Sequence, residues 1–536
     1  MGNQLTTETQ RTRRLHREEQ FVILCKSRKG AKAVIVMSDI SQRIASLSPQ
    51  KLEQLAQLLA RRQESVPSAQ TITRRKTVGP APLSFAQRRM WFLHQLDPTS
   101  VAFNISIAMR LTGPVDLSAM ERSLLEVTRR HESLRTTFDE IDGEPVQIIN
   151  PPGKRALTTI DLSAFNKDER RSERRAFAKA EALRPFDLRL GPLQRATVIR
   201  LSPAEHVLLL VVHHIVSDGW SMGLLVKEIG DLYSAYSRGE EPQLSELPLQ
   251  YADYSQWQKD WLASNGLQQQ LKYWRTQLAG APPLLELQTD WERPAVLSQK
   301  GAVQLLKLDT ELVQRIRELA KASQVTLFTL MLAVFKVLLH RYTGQEDIVL
   351  GTNIANRNRG AIQNLIGFFV NNLVLRSDLS GNPTFRECLA RVNATALDAY
   401  AHQDVPFELL LEELHPERVR NQTPLFQVMF LLQQSGPMTS VIDEVEFSAL
   451  KLETGTSTFD LTMVVEEDNS EIYLHLSYNT DLFAPSTVNR MIQHYEKLLQ
   501  SVVARPDERI ATLSMSSDEE YAELLHSFNA ALGDDT

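Results

Sequence analysis

Two hydrophobic periodicities alternate along the chain after Pro82. Residues 104–111 alternate apolar and polar side chains as a half-buried strand does, whereas residues 116–130 repeat apolar positions on one face and predict a helix that starts with a Ser118–Glu121 capping box. Two more strands are predicted at 194–200 and 207–212. The second is an uninterrupted apolar run, typical of the centre of a sheet, and it leads directly into His213.

A helical pattern follows at residues 220–236, so a strand, a loop and a helix frame the histidines at the end of the run. The same alternation resumes beyond about residue 290. It predicts strands at 303–308, 347–353, 427–432 and 472–478, and helices at 310–323, 325–342, 384–403 and 484–504. We therefore expect an α/β protein with two comparable halves, joined by an interlobe connection at residues 256–295.

The residues before this body have a different character. Residues 1–36 are rich in Arg and Lys, and we interpret them as a basic tail that is not native, with Met37 as the true start. Residues 37–80 predict one amphipathic helix beginning near Ser48 and a linker rich in Ser, Thr, Pro and Arg. Because so short a helix is marginal alone, it must pack on the body or on an upstream protein.

Composition narrows the class of protein. The chain has 536 residues, of which 43% are hydrophobic and 23% charged, as in globular proteins with large cores. A net charge of −6 disfavours nucleic acid as a partner. The two cysteines are too few for a disulfide framework or a multi-cysteine metal site, and no apolar stretch is long enough for a membrane span. We expect a cytoplasmic monomer without a membrane partner, metal or bound cofactor.

Several common chemistries have no motif here. The 22 glycines form no GxG pair, and neither a phosphate-binding GxxxxGK[ST] loop nor an HExxH zinc motif occurs. Gly219-Trp220-Ser221-Met222-Gly223 matches GxSxG, but Ser221 lies well past the end of the apolar run. A nucleophilic serine belongs at the corner between strand and helix, so covalent serine catalysis is disfavoured.

The segment His213-His214-Ile215-Val216-Ser217-Asp218-Gly219 is the strongest chemical signal. Adjacent side chains at the end of a strand point to opposite faces, so the two histidines are poorly placed to share a metal ion. One imidazole could instead act as a general base in a cleft while the other packs inside. A buried pair of core histidines is the alternative that this segment alone leaves open.

Further motifs resemble the condensation domain of nonribosomal peptide synthetases, a branch of the chloramphenicol-acetyltransferase-like superfamily. In chain order they are LSFAQRRMWFL (83–93), RRHESLRTTF (129–138), VVHHIVSDGWSMG (211–223), YADYSQW (251–257), IGFFVNN (366–372), HQDVPFE (402–408) and RNQTPLFQVMF (420–430). The likeness spans roughly residues 82–513. One departure is Val370-Asn371-Asn372, where the family usually has VNT.

The resemblance implies two chloramphenicol-acetyltransferase-like lobes, at 81–255 and 296–515, that form a V-shaped pseudo-dimer with a tunnel between them. It also implies peptide-bond formation between a thioester donor and the amine of an aminoacyl acceptor, each carried on the phosphopantetheine arm of a carrier protein. The stretch SDGWSMG (217–223) is most similar to that of condensation domains that take an L-configured or acyl donor, and the substitutions typical of the heterocyclising, β-lactam-forming and recruiting branches are absent from this motif. Residues 516–536 resemble the start of a linker to an adenylation domain, so we expect that domain and both carriers as partners.

Site roles follow from the same resemblance. We expect His214 to orient the amine and take its proton, Asp218 to lock the loop, Gly219 to bring a backbone N–H to the reacting centre, and His213 to be structural. The expected loop-locking arginines are Arg357 and Arg135, and the residues expected near the tunnel are Trp220, Ser84, Gln87 and Asn371. Two alternatives stay open: a stand-alone acyltransferase that uses a small soluble amine or alcohol, and a non-catalytic module that docks carriers.

Overall fold

The computed structural model describes residues 71–76, 79–153, 157–262, 266–298, 300–416, 421–434, 439–450, 455–468, 470–516 and 520. The predicted basic tail, the helix near Ser48 and most of residues 64–80 and 516–536 lie outside these residues.

The first half of the described chain alternates strands and helices. In chain order it contains β1 (Ala81–Pro82), α1 (Phe85–Leu96), β2 (Asn104–Thr112), α2 (Leu117–Arg130), β3 (Thr136–Ile141), β4 (Glu144–Ile149), β5 (Thr158–Asp161), α3 (Lys167–Ala182), β6 (Gln194–Ser202), β7 (Glu205–His213), α4 (Gly219–Ser237), α5 (Tyr251–Leu262) and α6 (Gly266–Leu278).

The second half continues the same alternation. It contains β8 (Gly301–Lys307), α7 (Thr310–Ala322), α8 (Leu327–Thr343), β9 (Asp347–Ile354), β10 (Asn371–Asp378), α9 (Phe385–Ala401), α10 (Phe407–Leu414), β11 (Val428–Gln434), β12 (Thr439–Ile442), β13 (Val445–Leu450), β14 (Leu461–Asp468), β15 (Glu471–Asn479) and α11 (Pro485–Ala504).

Two six-stranded sheets organise the molecule, each with its own hydrophobic core. The first has the strand order β12-β13-β2-β7-β6-β5 and the second β10-β9-β11-β14-β15-β8. Most neighbours are antiparallel, but β5 runs parallel to β6, and β11 runs parallel to both β9 and β14. We call each sheet with its core a lobe. A separate three-stranded sheet, β1-β4-β3, lies in the first half.

The predicted central strand of the first lobe is β7. It pairs with β2 along one edge and with β6 along the other, and residues 206–213 are all buried. This burial on both faces explains the uninterrupted apolar run. The last residue of the strand is His213, and α4 begins six residues later along the chain.

Local capping follows the sequence in most places. The N-cap of α2 is Asp116, whose carboxylate accepts from the Ser118 and Ala119 N–H groups, so the predicted Ser118–Glu121 capping box is wrong. Helix α8 is buried around most of its circumference and ends at Gly344, which has a φ of 73°. Glycine adopts this left-handed conformation without the steric cost of a Cβ atom.

One element of the second half belongs to the first lobe's sheet. The hairpin of β12 and β13 lies within residues 296–515, which the sequence assigns to the second lobe. Nevertheless, β13 pairs antiparallel with β2 from Glu446 opposite Thr112 to Leu450 opposite Ala108. The boundary drawn from sequence is wrong for this hairpin, because the pairing depends on a strand more than three hundred residues away.

No single helix of the described residues is long and apolar enough to cross a membrane. By length and composition alone, the pair α7 and α8 passes the test together, with a bend of 105° between them. Residues 329–339 of α8 are all buried, as expected of a core helix.

Candidate active site

A short 3-10 turn, His214–Val216, joins β7 to the loop before α4 and carries the second histidine. The His214 N–H donates to the Phe103 carbonyl at 2.8 Å, which ties the turn to the segment before β2. The buried Gln87 amide of α1 donates to the Ile215 carbonyl at 3.1 Å. Two separate elements therefore fix the backbone on which His214 is presented.

The first histidine, His213, points into the lobe. Its Nδ1 accepts a hydrogen bond from the Ile215 N–H at 3.1 Å, and the rings of Phe103 and Phe186 meet its imidazole edge-on at 6.3 and 5.9 Å. Burial lowers the pKa of His213 to about 3. The ring is neutral at pH 7 and braces the turn from inside.

The His214 ring lies against the edge of Phe368, with the ring centroids 4.9 Å apart. The residue is half-buried, and its Nδ1 is a buried atom. Burial lowers the pKa of His214, and the nearby Asp218 carboxylate and the backbone of Ser217 oppose that shift. A neutral imidazole has one ring nitrogen that accepts a hydrogen bond, so it is a competent general base.

Asp218 and Arg357 form a buried ion pair between the two halves of the chain. One guanidinium nitrogen, Nη2, lies 3.2 Å from the Asp218 carboxylate, and the two side chains are 2% and 0% exposed. The carboxylate also accepts from the Ser221 N–H at 2.8 Å and from the Phe369 N–H at 3.0 Å. Arg357 Nη1 donates to the carbonyls of Ile362 and Leu365. Both charges are thus held by several hydrogen bonds, the condition under which buried ions are tolerated.

The Ser221 hydroxyl is fully engaged in this network. It donates to the Gly367 carbonyl at 2.8 Å and accepts from Arg357 Nη2 at 2.7 Å and from the Gly367 N–H at 3.1 Å. No hydrogen bond with a histidine activates it among the described contacts. Ser221 of the GxSxG match is therefore part of the interlobe hydrogen-bond network, and its described contacts lack the geometry of a nucleophilic serine.

Gly219 and Trp220 begin α4 on the exposed side of the loop. A Cβ placed on Gly219 would meet no atom within 4 Å, so the first turn of the helix opens onto free space. The Trp220 indole N–H donates to the Gln363 carbonyl at 3.0 Å, and its ring is 49% exposed. The N–H groups of a helix start are suited to a developing negative charge beside the turn.

The other predicted tunnel residues brace the site without reaching His214. Ser84 caps α1, and its hydroxyl lies 2.7 Å from the Tyr251 hydroxyl, which donates to the Phe368 carbonyl at 2.6 Å. Asn371 donates to the Gln403 and Val405 carbonyls and accepts from the Phe407 N–H. These contacts hold backbone around the site and give no direct role in the reaction.

Arg135 lies elsewhere, so its prediction as a second loop-locking arginine is wrong. Its guanidinium donates to the Asn150 carbonyl at 2.5 Å and approaches Glu132 at 3.7 Å. It therefore ties the 3-10 turn before β3 to the end of β4. It makes no described contact with Asp218, because the chain from 132 to 150 folds into the separate three-stranded sheet.

The sequence motifs did not reveal how deeply residues 362–369 enter the first lobe. Ile366 and Phe368 belong to the first lobe's core, and the Ile366 carbonyl accepts from the Ser133 hydroxyl at 2.7 Å. A Cβ on Gly367 would lie 1.9 Å from the Tyr251 ring, so only glycine allows this approach. The sequence signal that could have revealed this contact is the run IGFF (366–369), because a glycine among aromatic residues indicates a close backbone contact. The run does not identify the residue on the other side of the contact.

A second buried cluster of charged and polar side chains contacts the same segment, residues 362–369. His131 Nε2 lies 2.9 Å from the Glu228 carboxylate, and Arg130 Nε lies 3.1 Å from it. His131 Nδ1 accepts from the Ile366 N–H at 3.3 Å. Within the described residues, no group of three or more His, Cys, Asp or Glu side chains could hold a metal ion. The site is thus an imidazole presented beside an interlobe ionic network.

Comparisons with known proteins show similarity over most of the chain. The family model described as Condensation domain matches residues 78–525. One of the linear gramicidin synthase proteins of Brevibacillus parabrevis is 48% identical over 450 residues, which cover 84% of this chain and 9% of that protein. The chain thus spans less than a tenth of the length of this relative.

Two solved structures share the fold. The X-domain in complex with OxyB from teicoplanin biosynthesis is 28% identical, with a TM-score of 0.76 over 84% of this chain and 98% of the other. The starter condensation domain of rhizomide synthetase is 22% identical, with a TM-score of 0.70 over 82% and 98%. The motif resemblance and the expected chloramphenicol-acetyltransferase-like fold class are confirmed.

Proposed function

The chain belongs to the condensation-domain family of nonribosomal peptide synthetases, and we propose that it joins a carrier-bound acyl or peptidyl thioester to the amine of a carrier-bound aminoacyl group. The observation that carries this proposal is the half-buried His214, which a fixed turn presents and whose imidazole burial keeps neutral. The turn is secured from the other half of the chain by the Asp218–Arg357 pair.

In the proposed reaction the acceptor amine attacks the thioester carbonyl. An α-amino group has an ordinary pKa of about 7.7–8, so much of it is already deprotonated near neutrality. His214 orients the amine by accepting its N–H and takes one proton as the C–N bond forms. The C–S bond then breaks, and the donor carrier's thiolate leaves and recovers that proton from His214. The products are an amide on the acceptor carrier and a free thiol on the donor carrier.

Negative charge develops on the former carbonyl oxygen in this step. We assign its stabilisation to the N–H groups at the start of α4, where Gly219 leaves open space. His213 takes no part in proton transfer, because its Nδ1 is occupied by the Ile215 N–H and its pKa is far too low. Positioning accounts for much of the acceleration, since intramolecular alignment can contribute about 7–11 kcal/mol to lowering a barrier.

The proposed partners follow from this reaction. A donor carrier and an acceptor carrier deliver the two groups on phosphopantetheine arms, reaching His214 through a tunnel between the lobes from opposite faces. An adenylation domain adjoins the C-terminal side in our proposal, and the protein acts as a monomer in the cytoplasm. The proposed reaction needs no cofactor bound to the domain itself.

A non-catalytic docking role is the second candidate, favoured by the likeness to an X-domain solved with OxyB. The two roles make different demands on the site. A docking module has no need of a neutral imidazole on this turn, whereas condensation depends on it. The presence of both His213 and His214 therefore favours catalysis.

The test is intact-mass detection of transfer between two loaded carrier proteins, with His214→Ala as the variant. The matched control is His415→Asn, which replaces an exposed histidine that has a φ of 45° by another residue tolerant of that conformation. We expect product on the acceptor carrier with wild type and control, and a loss of at least about 100-fold with His214→Ala.

Equal product with His214→Ala would overturn the role of this histidine. Product with a soluble amine or alcohol but none with a carrier-bound acceptor would indicate a stand-alone acyltransferase. Carrier binding without product, across a panel of donors and acceptors, would favour the docking module.

A further inference from the structure

The first lobe contains a cavity of about 720 Å³ that the proposed reaction does not use. None of its lining residues belongs to the segment His213–Gly219. Its volume lies within the range of roughly 300–1,000 Å³ that small-molecule sites occupy. The cavity is therefore large enough to hold an organic ligand.

Much of the wall is apolar. Leu124 and Leu125 of α2, Ile160 of β5 and Phe177 of α3 contribute side chains to it. Leu190 also lines the cavity and is 80% exposed. An alkyl chain inserted past Leu190 would remove this apolar surface from water, which is favourable.

The charged part of the wall is positive. Among the described residues that line the cavity are three arginines, Arg135, Arg184 and Arg195, and a single carboxylate, Glu181. Arg184 and Arg195 share that carboxylate, at 3.1 and 3.2 Å. Arg135 approaches Glu132, outside the lining, at 3.7 Å. The lining therefore carries more positive than negative charge even when this outer carboxylate is counted.

Arg135 offers a hydrogen-bond donor for an anion. Its Nε is buried and has no hydrogen-bond acceptor among the described residues. A buried donor without an acceptor is unfavourable, and a ligand oxygen would satisfy it. Guanidinium groups bind carboxylates with a matching planar geometry.

We propose that this cavity binds an amphipathic carboxylate, with a medium-length alkyl chain along the apolar wall and its carboxylate at Arg135. The site lies close to the catalytic turn. The Leu193 carbonyl of the cavity wall accepts the His213 N–H at 3.0 Å, and Arg195 stacks over the Phe186 ring that packs on His213. The binding site stands independently of the function proposed above.

The test is calorimetric titration of the full chain with decanoate, below the concentration at which decanoate forms micelles. Arg135→Met removes the guanidinium and keeps most of the side-chain volume. The matched control is Arg175→Met, which changes an exposed arginine of α3 outside the cavity lining. Decanol is the neutral probe of the same chain length.

We expect one saturable site for decanoate, with a Kd at least tenfold higher in Arg135→Met, unchanged within twofold in Arg175→Met, and at least tenfold higher for decanol. If Arg135→Met does not fold, Leu125→Trp, which fills the cavity from α2, should abolish binding instead. The absence of saturable binding to wild type would overturn the proposal. So would equal affinity in wild type and Arg135→Met, or binding of decanol as tight as that of decanoate.

Discussion

The buried pair of Arg357 and Asp218 makes a quantitative prediction about stability. Arg357→Met removes the guanidinium and leaves the Asp218 carboxylate, which is 0% exposed, inside the protein. The carboxylate keeps the Ser221 and Phe369 N–H donors but loses its only described counter-charge. The carbonyls of Ile362 and Leu365 lose their donor as well.

Removing one partner of a buried ion pair costs about 3–5 kcal/mol, because the other charge stays desolvated. Domains unfold with a free energy of about 5–15 kcal/mol, so the variant should lose a large part of its stability. Arg386→Met is the matched control. It breaks an ion pair to Asp507 of 2.8 Å whose side chains are 47% and 76% exposed, and should cost less than about 1 kcal/mol.

Urea denaturation followed by intrinsic fluorescence measures both variants. A double-mutant cycle with Asp218→Asn isolates the pair, and the double variant should be at least about 1 kcal/mol more stable than the sum of the single losses predicts. The reasoning is refuted if Arg357→Met costs no more than Arg386→Met, or if the two losses simply add. Either result would mean that the pair does not hold the lobes in the arrangement described.

Three further predictions concern residues around the turn. Because burial lowers the folded pKa of His213 to about 3 from its ordinary 6.5, the folded state binds fewer protons than the unfolded state. The contribution of His213 to the free energy of unfolding should therefore fall by about 2 kcal/mol from pH 8 to pH 5. Urea titrations at several pH values should show that His213→Phe removes this contribution. An unchanged pH dependence in the variant would contradict the prediction. Ser221→Ala should destabilise the fold by about 1–3 kcal/mol, yet lower turnover of the folded enzyme far less than the roughly 10⁶-fold loss that removal of a catalytic serine causes; a loss of that size would restore the serine mechanism. Gln87→Met leaves the Ile215 carbonyl without its amide donor, so it should lower the stability measured in a thermal melt by about 1–3 kcal/mol and also lower kcat. The control Gln95→Met changes an exposed glutamine and should affect neither quantity. Equal effects of the two variants would show that the Gln87 hydrogen bond does not fix the turn.

Local pattern predicted the elements that frame the site with good accuracy. The apolar run at 207–212 lies within β7, and the helical pattern at 220–236 lies within α4, which starts one residue earlier and ends one later. Both segments are long and strongly periodic, so side-chain burial and backbone geometry favour the same structure. By contrast, β3, β4, β10 and β14 were not predicted, although each is a strand of a defined sheet.

The interlobe contacts could be predicted only in part. The family position of Arg357 pointed to Asp218, and the structure places the two in contact at 3.2 Å. The same type of inference failed for Arg135, which lies beside a cavity in the first lobe. An arginine in a motif indicates that a hydrogen-bond acceptor lies nearby, but the sequence does not identify which acceptor this is.

The sequence by itself determined the types of the longest periodic elements, the family and the segment that carries the histidines, because periodicity and motif order are local properties of the chain. Only the tertiary structure decided that the hairpin of β12 and β13 completes the first sheet, that Phe368 packs on His214, and that the Ser221 hydroxyl is bound by the second half. Those contacts join segments more than a hundred residues apart. Their free energy comes from burying both partners together, which no local pattern records.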